Sequence, residues 1–553
     1  MLAGCTNTPP PPLVSAPPST TQAGPPNTRE IVVGVDDIAG GYNPHTLADQ
    51  STMTTALSSL LLPSVFRPAP DGSPMLDRTL MVSAEVTKTQ PYTVTYRLRG
   101  DASWSDGAPI AAEDFVYLWK QIRDQPGTVD SAGYRLISDI TLADGGKVVE
   151  VTFSKPYPGW RSLFSSLLPA HVLKDAPGGW ESALDENFPS TAGPFSIKTL
   201  DNDRGEIVLE RNERYWDQPA LLDRLVLRRA DQSGLVDALR SGYDQVAITR
   251  TDAVGVNRLR ALGDSVAVHT VPRPTVVSLV LRPVGEDLSE RNVRAALAAM
   301  LDRGTLIDTA TERGPESQFR ADGLVLAPSQ LGYKPTLPQD APSARPDPAL
   351  AQRLLTEAGY QQNAGVWMRD GRPLSILIAA PAGREPYEAI AEQARRQLTA
   401  AGVSARVVTP EADQLFTQLP APTVGQDSAP SHDGGANIVV APSPVGANPT
   451  NVLASNFGCP PETVDGQPEA SGNVTGFCDT VLQQTIDAAL TGSLTLEEAL
   501  ADVEPELWRQ AVSIPLYQTA DTLVVRQEVT GVEVGSPLTG PFGSAAIWRR
   551  GEK

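Results

Sequence analysis

The chain has 553 residues, which is too long for one ordinary hydrophobic core, so we expect two or three lobes. Its formal net charge of -20 argues against a nucleic-acid-binding protein, since such proteins concentrate Lys and Arg on one face. The 50 prolines and 45 glycines are typical of a large protein with mixed helices and strands rather than of a helical bundle. No stretch reaches the roughly 18 apolar residues that span a bilayer.

The segment 1–28 predicts export and tethering. Leu2-Ala3-Gly4-Cys5 matches the lipobox of bacterial lipoproteins, in which the cysteine thiol carries the lipid. The stretch 6–28 is rich in Pro, Ser and Thr and predicts a disordered tether. A signal peptide needs a charged start and an apolar run, whereas only Met1 precedes the motif, so we expect this sequence to be a soluble form without its signal peptide. Lipidation at Cys5 would hold the full-length protein at the extracytoplasmic face of the membrane.

The stretch 93–122 combines a strand, a turn and a helix. Val94, Tyr96 and Leu98 alternate with polar residues, which predicts a half-buried strand. Asp106-Gly107 then predicts a turn. After it, apolar residues recur at i, i+3, i+4 and i+7, the spacing of one helical stripe. The residues of this stripe are Phe115, Leu118, Trp119 and Ile122.

Other segments predict further elements in chain order. The apolar run 31–35 predicts a strand that is buried on both faces. The stretch 148–153 alternates as a second clear strand. The segments 374–378, 387–401 and 403–407 predict a strand, a helix and a strand, which together form a βαβ unit.

Two of the three cysteines predict a disulfide. Cys459 and Cys478 lie close in sequence, in a stretch rich in Pro, Gly and Asn. A bridge there would close a loop and contribute about 3 kcal/mol in the chain-entropy model. It would also imply an oxidising compartment, in agreement with the export signals. The alternative is a pair of reduced surface thiols.

The window 96–116 carries a longer motif. It contains Trp104-Ser105-Asp106-Gly107, then Pro109, then Ala112-Glu113-Asp114-Phe115-Val116. This pattern resembles the signature of the bacterial extracellular solute-binding proteins of family 5, the peptide, oligopeptide and nickel class. Further matches to that family lie at 191–195, 211–216 and 292–303.

The resemblance implies an α/β protein with the two-lobed periplasmic-binding-protein fold of the large, cluster C type. In this fold a cleft separates the lobes, and an additional domain is inserted in the first lobe. We expect lobe I to comprise 29–62, 195–272 and 518–548. The inserted domain II is expected at 63–194 and lobe III at 273–517.

The loop 441–449 departs from the peptide-binding members of this family. They carry a segment of the type Asp-aromatic-x-Asp-Pro after a strand, and its first acid holds the amino group of the peptide. Here Ile438-Val439-Val440 is followed by a loop that lacks both acids. A buried ammonium without a carboxylate partner is strongly disfavoured, so a peptide amino terminus should bind poorly here unless the nearby Asp433 serves. Ser443 and Asn448 would suit a neutral, hydroxyl-rich ligand.

Three further residues complete the predicted ligand-binding set. Tyr42 and Asn43 lie where the resemblance places a first ligand-facing loop, although Asn43-Pro44 would also form a plain turn. Trp160 belongs to none of the fold motifs and could line the cleft.

The sequence favours a binding protein over an enzyme. None of the four histidines lies at metal-ligand spacing from another, and there is no G-x-S-x-G, H-E-x-x-H or phosphate loop. Glu113 and Asp114 form a tempting acid pair, but neighbours on a helix point about 100° apart and cannot flank one bond. Their charges instead favour the helix N-terminus. We therefore expect no catalytic residues, no metal and no cofactor.

Within the family, the lipobox, the tether, the missing acids and the cysteine pair most resemble a mycobacterial envelope lipoprotein. That resemblance implies a monomer that binds, or controls access to, a mannosylated phosphatidylinositol intermediate in the inter-lobe cleft. It would thereby regulate phosphatidylinositol mannoside and lipoarabinomannan biosynthesis, with a membrane mannosyltransferase as a partner. The alternative is an oligopeptide-binding receptor of an ABC importer.

Overall fold

The computed structural model of the chain describes residues 29–38, 41–182, 184–418, 435–460 and 472–551. The strands are β1 Glu30–Val35, β2 Phe66–Pro68, β3 Pro74–Leu76, β4 Met81–Thr89, β5 Tyr92–Leu98, β6 Ile137–Ala143, β7 Val148–Phe153, β8 Phe195–Asp201, β9 Glu206–Arg211, β10 Arg224–Arg229, β11 Val246–Thr249, β12 Val266–Leu281, β13 Gln361–Asn363, β14 Val366–Arg369, β15 Arg372–Pro373, β16 Ser375–Ala379, β17 Ser404–Val408, β18 Ile438–Pro444, β19 Ser513–Arg526, β20 Val529–Thr530 and β21 Arg549–Arg550.

The α-helices are α1 Thr52–Leu61, α2 Ala112–Asp124, α3 Ser131–Arg135, α4 Ala170–Leu173, α5 Gly179–Ser182, α6 Gln232–Ser241, α7 Ala253–Arg260, α8 Gly285–Leu288, α9 Arg291–Met300, α10 Arg303–Thr311, α11 Pro348–Glu357, α12 Tyr387–Ala400, α13 Ala412–Thr417, α14 Pro449–Phe457, α15 Thr480–Leu490 and α16 Leu496–Gln510. Short 3-10 helices lie at Asp144–Gly146, Pro158–Ser162, Gly263–Ser265, Pro315–Gln318 and Pro541–Ile547.

A ten-stranded sheet runs through both lobes in the order β17-β16-β18-β12-β19-β11-β1-β10-β9-β8. The apolar strand β1 lies inside this sheet and pairs in parallel with β10 and β11. Its side chains Ile31 and Val33 are fully buried, which confirms the strand predicted at 31–35. Because β1 and β11 are parallel neighbours, their carboxyl ends meet at the same edge of the sheet.

The strands β12 and β19 connect the two lobes. They pair antiparallel along most of their length, and β12 alone has 16 residues. The pairing shifts register between Pro272 and Val276. Pro272 and Pro274 have no backbone N–H, so they cannot donate to a continuous ladder at this point. We call 272–276 the hinge segment.

Domain II contains an antiparallel sheet in the order β4-β5-β7-β6, against which α2 packs. The strand, turn and helix predicted from 93 to 122 are confirmed. Asp114 does more than favour the helix N-terminus, because its carboxylate accepts hydrogen bonds from Trp104 Nε1 at 3.2 Å and from the backbone of Ala111 and Ala170 at 3.0 and 2.9 Å. These hydrogen bonds connect the turn to the start of α2 and to the start of α4.

Lobe III contains the predicted βαβ unit, in which β16 and β17 pair in parallel around α12. The apolar core is divided. One cluster joins lobe I to domain II and includes Val33 and Phe115, whereas a second cluster lies in lobe III and includes Leu279 and Ile390. The residue boundaries of the three parts stay a prediction.

The cysteine pair is joined in the structure, where Cys459 and Cys478 form a disulfide. Among the helices that the structure describes, none combines the length and the apolar character needed to cross a bilayer. Cys5 and Asp433 lie outside the described residues, so lipidation at Cys5 stays a prediction.

Candidate ligand-binding site

Two cavities lie between the parts of the chain. The larger one, which we call the hinge cavity, has a volume of about 410 Å³ and is bounded by lobe I, lobe III and the hinge segment. Its described lining includes six carboxylates and three arginines, namely Asp36, Asp37, Asp252, Glu312, Glu316, Glu385, Arg250, Arg273 and Arg384.

An ion pair joins the two lobes across the hinge cavity. Arg250 of lobe I lies 3.3 Å from the carboxylate of Glu316 in lobe III, and it also donates to the carbonyl of Ala310. Glu316 is only 2% exposed and accepts a further hydrogen bond from the backbone of Ala520 at 3.3 Å. The Arg250 backbone N–H donates to Asp36 at 2.7 Å. These bonds connect the carboxyl ends of β1 and β11 to the 3-10 helix Pro315–Gln318 of lobe III.

A second pair lies at the hinge segment. Arg273 Nε is 3.7 Å from the Asp521 carboxylate, which accepts a hydrogen bond from Thr52 Oγ1 at 2.8 Å. Burial raises the pKa of Glu316 to about 7, and burial followed by the charge of Asp521 raises the pKa of Asp36 to about 6. Carboxylates that are this desolvated accept hydrogen bonds from hydroxyl or ammonium groups, and they disfavour an anion.

The second cavity, which we call the junction cavity, lies where lobe I, domain II and lobe III meet. It has a volume of about 200 Å³, and Gln50 lines both this cavity and the hinge cavity. Its wall is rich in hydroxyl groups, from Thr54, Thr55, Ser58, Ser59, Ser64, Ser162, Ser165, Ser166 and Thr539. A hydroxyl both donates and accepts, so this wall can match a ligand that also carries hydroxyl groups.

A carboxylate also faces the junction cavity. Asp130 of domain II lies against Gly446, which belongs to the loop 441–449 that lacks the acids of peptide-binding members. The loop itself carries no acid, as its sequence shows. The chain supplies one from domain II, far away in sequence.

The lobes also touch through apolar side chains. Leu47 and Ala48 of lobe I share a buried cluster with Val280, Phe416 and Val439 of lobe III. This apolar contact and the Arg250 ion pair are formed by different strands and loops. The lobes therefore pack against each other at more than one place around the two cavities.

Tyr42 and Asn43 are buried and serve the local chain. The Tyr42 hydroxyl donates to the Ile38 carbonyl at 2.8 Å, and Asn43 Oδ1 accepts from the backbone of His45 at 3.1 Å. These contacts are those of the turn that the sequence offered as the alternative.

The other three predicted residues also make contacts within the protein. Trp160 is 3% exposed and packs edge-on against Phe66. Ser443 Oγ donates to Ser278 Oγ at 3.2 Å, and Asn448 caps α14 by accepting from the Thr450 backbone at 3.2 Å. None of the five predicted residues lines either cavity. Their role in ligand binding stays a prediction.

Sequence reasoning missed Asp36, Arg250, Glu316 and Asp130. A usable signal existed for the first two, because Asp36 follows β1 and Arg250 follows β11, and ligands of open α/β sheets bind at the carboxyl ends of strands. Glu316 and Asp130 lie on loops and short helices without a distinctive pattern. Across the described ranges there is no group of three or more His, Cys, Asp or Glu that could hold a metal ion.

Comparison with known proteins confirms the family resemblance. The model of bacterial extracellular solute-binding proteins, family 5, matches residues 80–459. The chain is 34% identical to the probable monoacyl phosphatidylinositol tetramannoside-binding protein LpqW of Mycobacterium tuberculosis, over 99% of this chain and 96% of that protein. It is 28% identical to the oligopeptide-binding protein OppA of Mycobacterium bovis, over 62% of this chain and 58% of that protein.

The fold is also that of solved structures. The oligopeptide-binding protein AppA from Bacillus subtilis, in complex with a nonapeptide, superposes with a TM-score of 0.75 at 16% identity. The match covers 95% of this chain and 99% of AppA, which shows the two-lobed periplasmic-binding fold. The chain belongs to the bacterial extracellular solute-binding proteins of family 5.

Proposed function

We propose that this protein is a non-enzymatic cell-envelope lipoprotein that binds a mannosylated phosphatidylinositol. By holding this intermediate or controlling access to it, the protein would regulate phosphatidylinositol mannoside and lipoarabinomannan biosynthesis. The observation that carries the proposal is the similarity to the tetramannoside-binding protein along nearly the whole chain. Lipidation at Cys5, a membrane mannosyltransferase as partner and a monomeric state belong to the same proposal.

The chemistry of the cavities supports a sugar-bearing ligand. Mannose presents hydroxyl groups on every side, and each must exchange hydrogen bonds with water for hydrogen bonds with protein. Several hydroxyl groups of the junction cavity, such as those of Thr54, Ser59 and Ser162, already donate to backbone carbonyls and serve as acceptors for sugar hydroxyls. In the hinge cavity Asp36 and Glu316 are acceptors for sugar hydroxyls. Because Arg250 is engaged by Glu316, the hinge cavity suits mannose better than the phosphate group.

A thermal-shift panel tests the proposal. Mannosylated phosphoinositides should raise the melting temperature, because a ligand at 100 times its Kd adds about 2.7 kcal/mol to the free energy of unfolding. Unmannosylated phosphatidylinositol is the matched control and should have little effect. A panel in which the mannosylated lipids cause no shift contradicts the proposal.

The second function is an oligopeptide receptor of an ABC importer. One observation favours it, namely the carboxylate of Asp130 beside the loop 441–449, where it could pair with an amino terminus. Mixed tri- to pentapeptides in the same panel would then raise the melting temperature, and acetylation of their amino termini would abolish the shift.

A further inference from the structure

Asp130 is a carboxylate without a partner. Its side chain is half-buried in the wall of the junction cavity, and among the described residues it makes no hydrogen bond and no ion pair. Burial raises its pKa to about 7. A desolvated carboxylate without a partner destabilises the folded protein. Such a group is therefore a candidate for a role in function rather than in folding.

The backbone around Asp130 is held firmly by lobe III. Asn451 Nδ2 donates to the Asp130 carbonyl at 2.9 Å, and Asn451 Oδ1 accepts from the Gly133 backbone at 2.7 Å. Ser455 Oγ accepts from the Ala132 backbone at 3.1 Å. These three bonds join domain II to α14 and fix the position of the loop without using the carboxylate.

The conformation of Asp130 turns its side chain away from its usual local role. Asp130 precedes α3 as its N-cap residue, where an aspartate normally accepts a backbone N–H, but no such bond forms. Its φ of 54° lies in the left-handed region, which costs energy for a residue with a Cβ. The carboxylate does not cap α3, and its backbone conformation is strained. Both features point to a role for the carboxylate outside the local chain.

Lobe III leaves space for this carboxylate. A Cβ added at Gly446 would overlap Asp130 Oδ2. The φ of Gly446 is not positive, so its backbone does not itself require glycine. The absence of a side chain at Gly446 therefore serves the position of the Asp130 carboxylate.

The surroundings favour a neutral hydroxyl-bearing group over a cation. Arg67 and Arg161 line the same cavity as Asp130, and Arg161 stacks over the ring of Trp160 at 4.4 Å. Arg67 is already paired with Asp77, so Arg161 is the guanidinium group that would repel a cationic ligand, whereas a sugar would not be repelled. The volume of about 200 Å³ is below the roughly 300–1,000 Å³ of pockets for drug-sized ligands, which indicates one ring-sized group.

We propose that Asp130 is a ligand-binding residue whose carboxylate accepts hydrogen bonds from neighbouring hydroxyl groups of one hexose ring in the junction cavity. This assignment rests on the proposed function. It makes domain II part of the binding site, with the Ser and Thr side chains of the cavity wall binding the remaining hydroxyl groups of the ring.

Asp130→Asn tests the charge at constant shape. Calorimetric titration at pH 8, where the Asp130 carboxyl is mostly ionised, with deacylated phosphatidylinositol tetramannoside should show affinity at least about tenfold weaker than wild type, since hydrogen bonds to a charged group are stronger than those to a neutral amide. The matched control is Asp139→Asn, which removes an exposed carboxylate of the same domain outside both cavities and should leave the affinity unchanged.

Gly446→Ala tests the same carboxylate without changing the charge. The added methyl group must displace Asp130, so we expect weaker tetramannoside binding in this variant as well. Unliganded Asp130→Asn should melt no lower than wild type, because no residue in the described part of the chain is bonded to this carboxylate. That measurement separates a lost ligand contact from a damaged fold.

The outcomes separate the two proposals. If the wild-type protein binds the tetramannoside and Asp130→Asn binds it equally well, the assignment of Asp130 is wrong and the proposed function stands. If Asp130→Asn melts well below wild type, the carboxylate has a structural role and the assignment is again wrong. If the wild-type protein binds no mannoside, the proposed function itself fails.

Discussion

The hinge cavity and the junction cavity lie between the same lobes but use charge in opposite ways. In the hinge cavity Arg250 and Arg273 each form an ion pair with a buried carboxylate, at 3.3 and 3.7 Å respectively. In the junction cavity, whose wall is rich in hydroxyl groups, Asp130 has no such partner among the described residues. The charges of the first cavity join the lobes as well as facing the cavity, whereas we expect the charge of the second to serve a ligand alone.

The comparison of the two cavities distinguishes a structural role from a binding role for a buried carboxylate. Glu316 and Asp130 both have a pKa raised to about 7 by burial. Only Glu316 is bonded across the lobes, so its removal should harm the fold. The loss of the Asp130 charge should instead harm binding. A raised pKa alone does not distinguish a structural acid from a binding acid.

The largest effect is expected for Arg250→Met in the hinge cavity. This change leaves Glu316 buried without its ion-pair partner, which typically costs about 3–5 kcal/mol of stability. Urea unfolding should show this loss. Arg240→Met is the control, because Arg240 pairs with Asp237 on the surface, where such pairs contribute about 0–1 kcal/mol. Equal losses in the two variants would contradict a structural role for the hinge cavity.

The next effect concerns a region outside both cavities. Replacing Cys459 and Cys478 together by Ser should lower the free energy of unfolding by about 3 kcal/mol, because the unfolded chain is no longer constrained. Neither cysteine lines a cavity, so tetramannoside affinity should not change. A change in affinity would show that the disulfide also shapes the site.

A smaller effect is expected for the pH dependence of stability. The carboxyl of Asp130 has an ordinary pKa of 3.8 in the unfolded chain and about 7 in the folded protein. The folded state therefore holds an extra proton between about pH 4 and 7, so the stability that is fully present below pH 4 falls as the pH rises through this window and is level above it. Wild type should lose at least about 1 kcal/mol relative to Asp130→Asn between pH 5 and 8.

The comparison with Asp130→Asn isolates this one group. Asp36 and Glu316 titrate in the same range but are present in both proteins, so their contributions cancel. Tyr134 and Tyr157, which act on Asp130 electrostatically, stay protonated because burial raises the pKa of both, that of Tyr157 to about 12. Parallel stability curves from pH 5 to 8 would be inconsistent with a desolvated Asp130.

The smallest effect is expected for Ser443→Ala. Its hydroxyl bonds to Ser278 and lines neither the hinge cavity nor the junction cavity. The free energy of unfolding should fall by about 1 kcal/mol or less. Tetramannoside affinity should stay the same, and a clear fall in affinity would show that the ligand extends beyond the two cavities.

The fold was predictable where it depends on local periodicity. The alternation at 93–98, the stripe on α2 and the apolar run of β1 each gave the right element, because every one of them packs one face onto a core. The family motif added the two-lobed arrangement, which periodicity cannot supply.

The site was much less predictable, because it is built from residues that are distant in sequence. Asp130 meets Gly446, and Arg250 meets Glu316, only after three parts of the chain come together. Tyr42 and Trp160 show the opposite difficulty. Aromatic residues suit a ligand cleft and a core equally well, and in this chain both are buried in the core.

The register break at the hinge segment has a practical consequence. Because the pairing of β12 with β19 shifts register at this segment, the ladders on either side can stay intact if the lobes rotate relative to each other. Such a rotation would change the distance between a residue of lobe I and a residue of lobe III. Fluorophores attached at Val254 and Leu331, two exposed side chains that can each be replaced by cysteine, would test by energy transfer whether a ligand changes this distance.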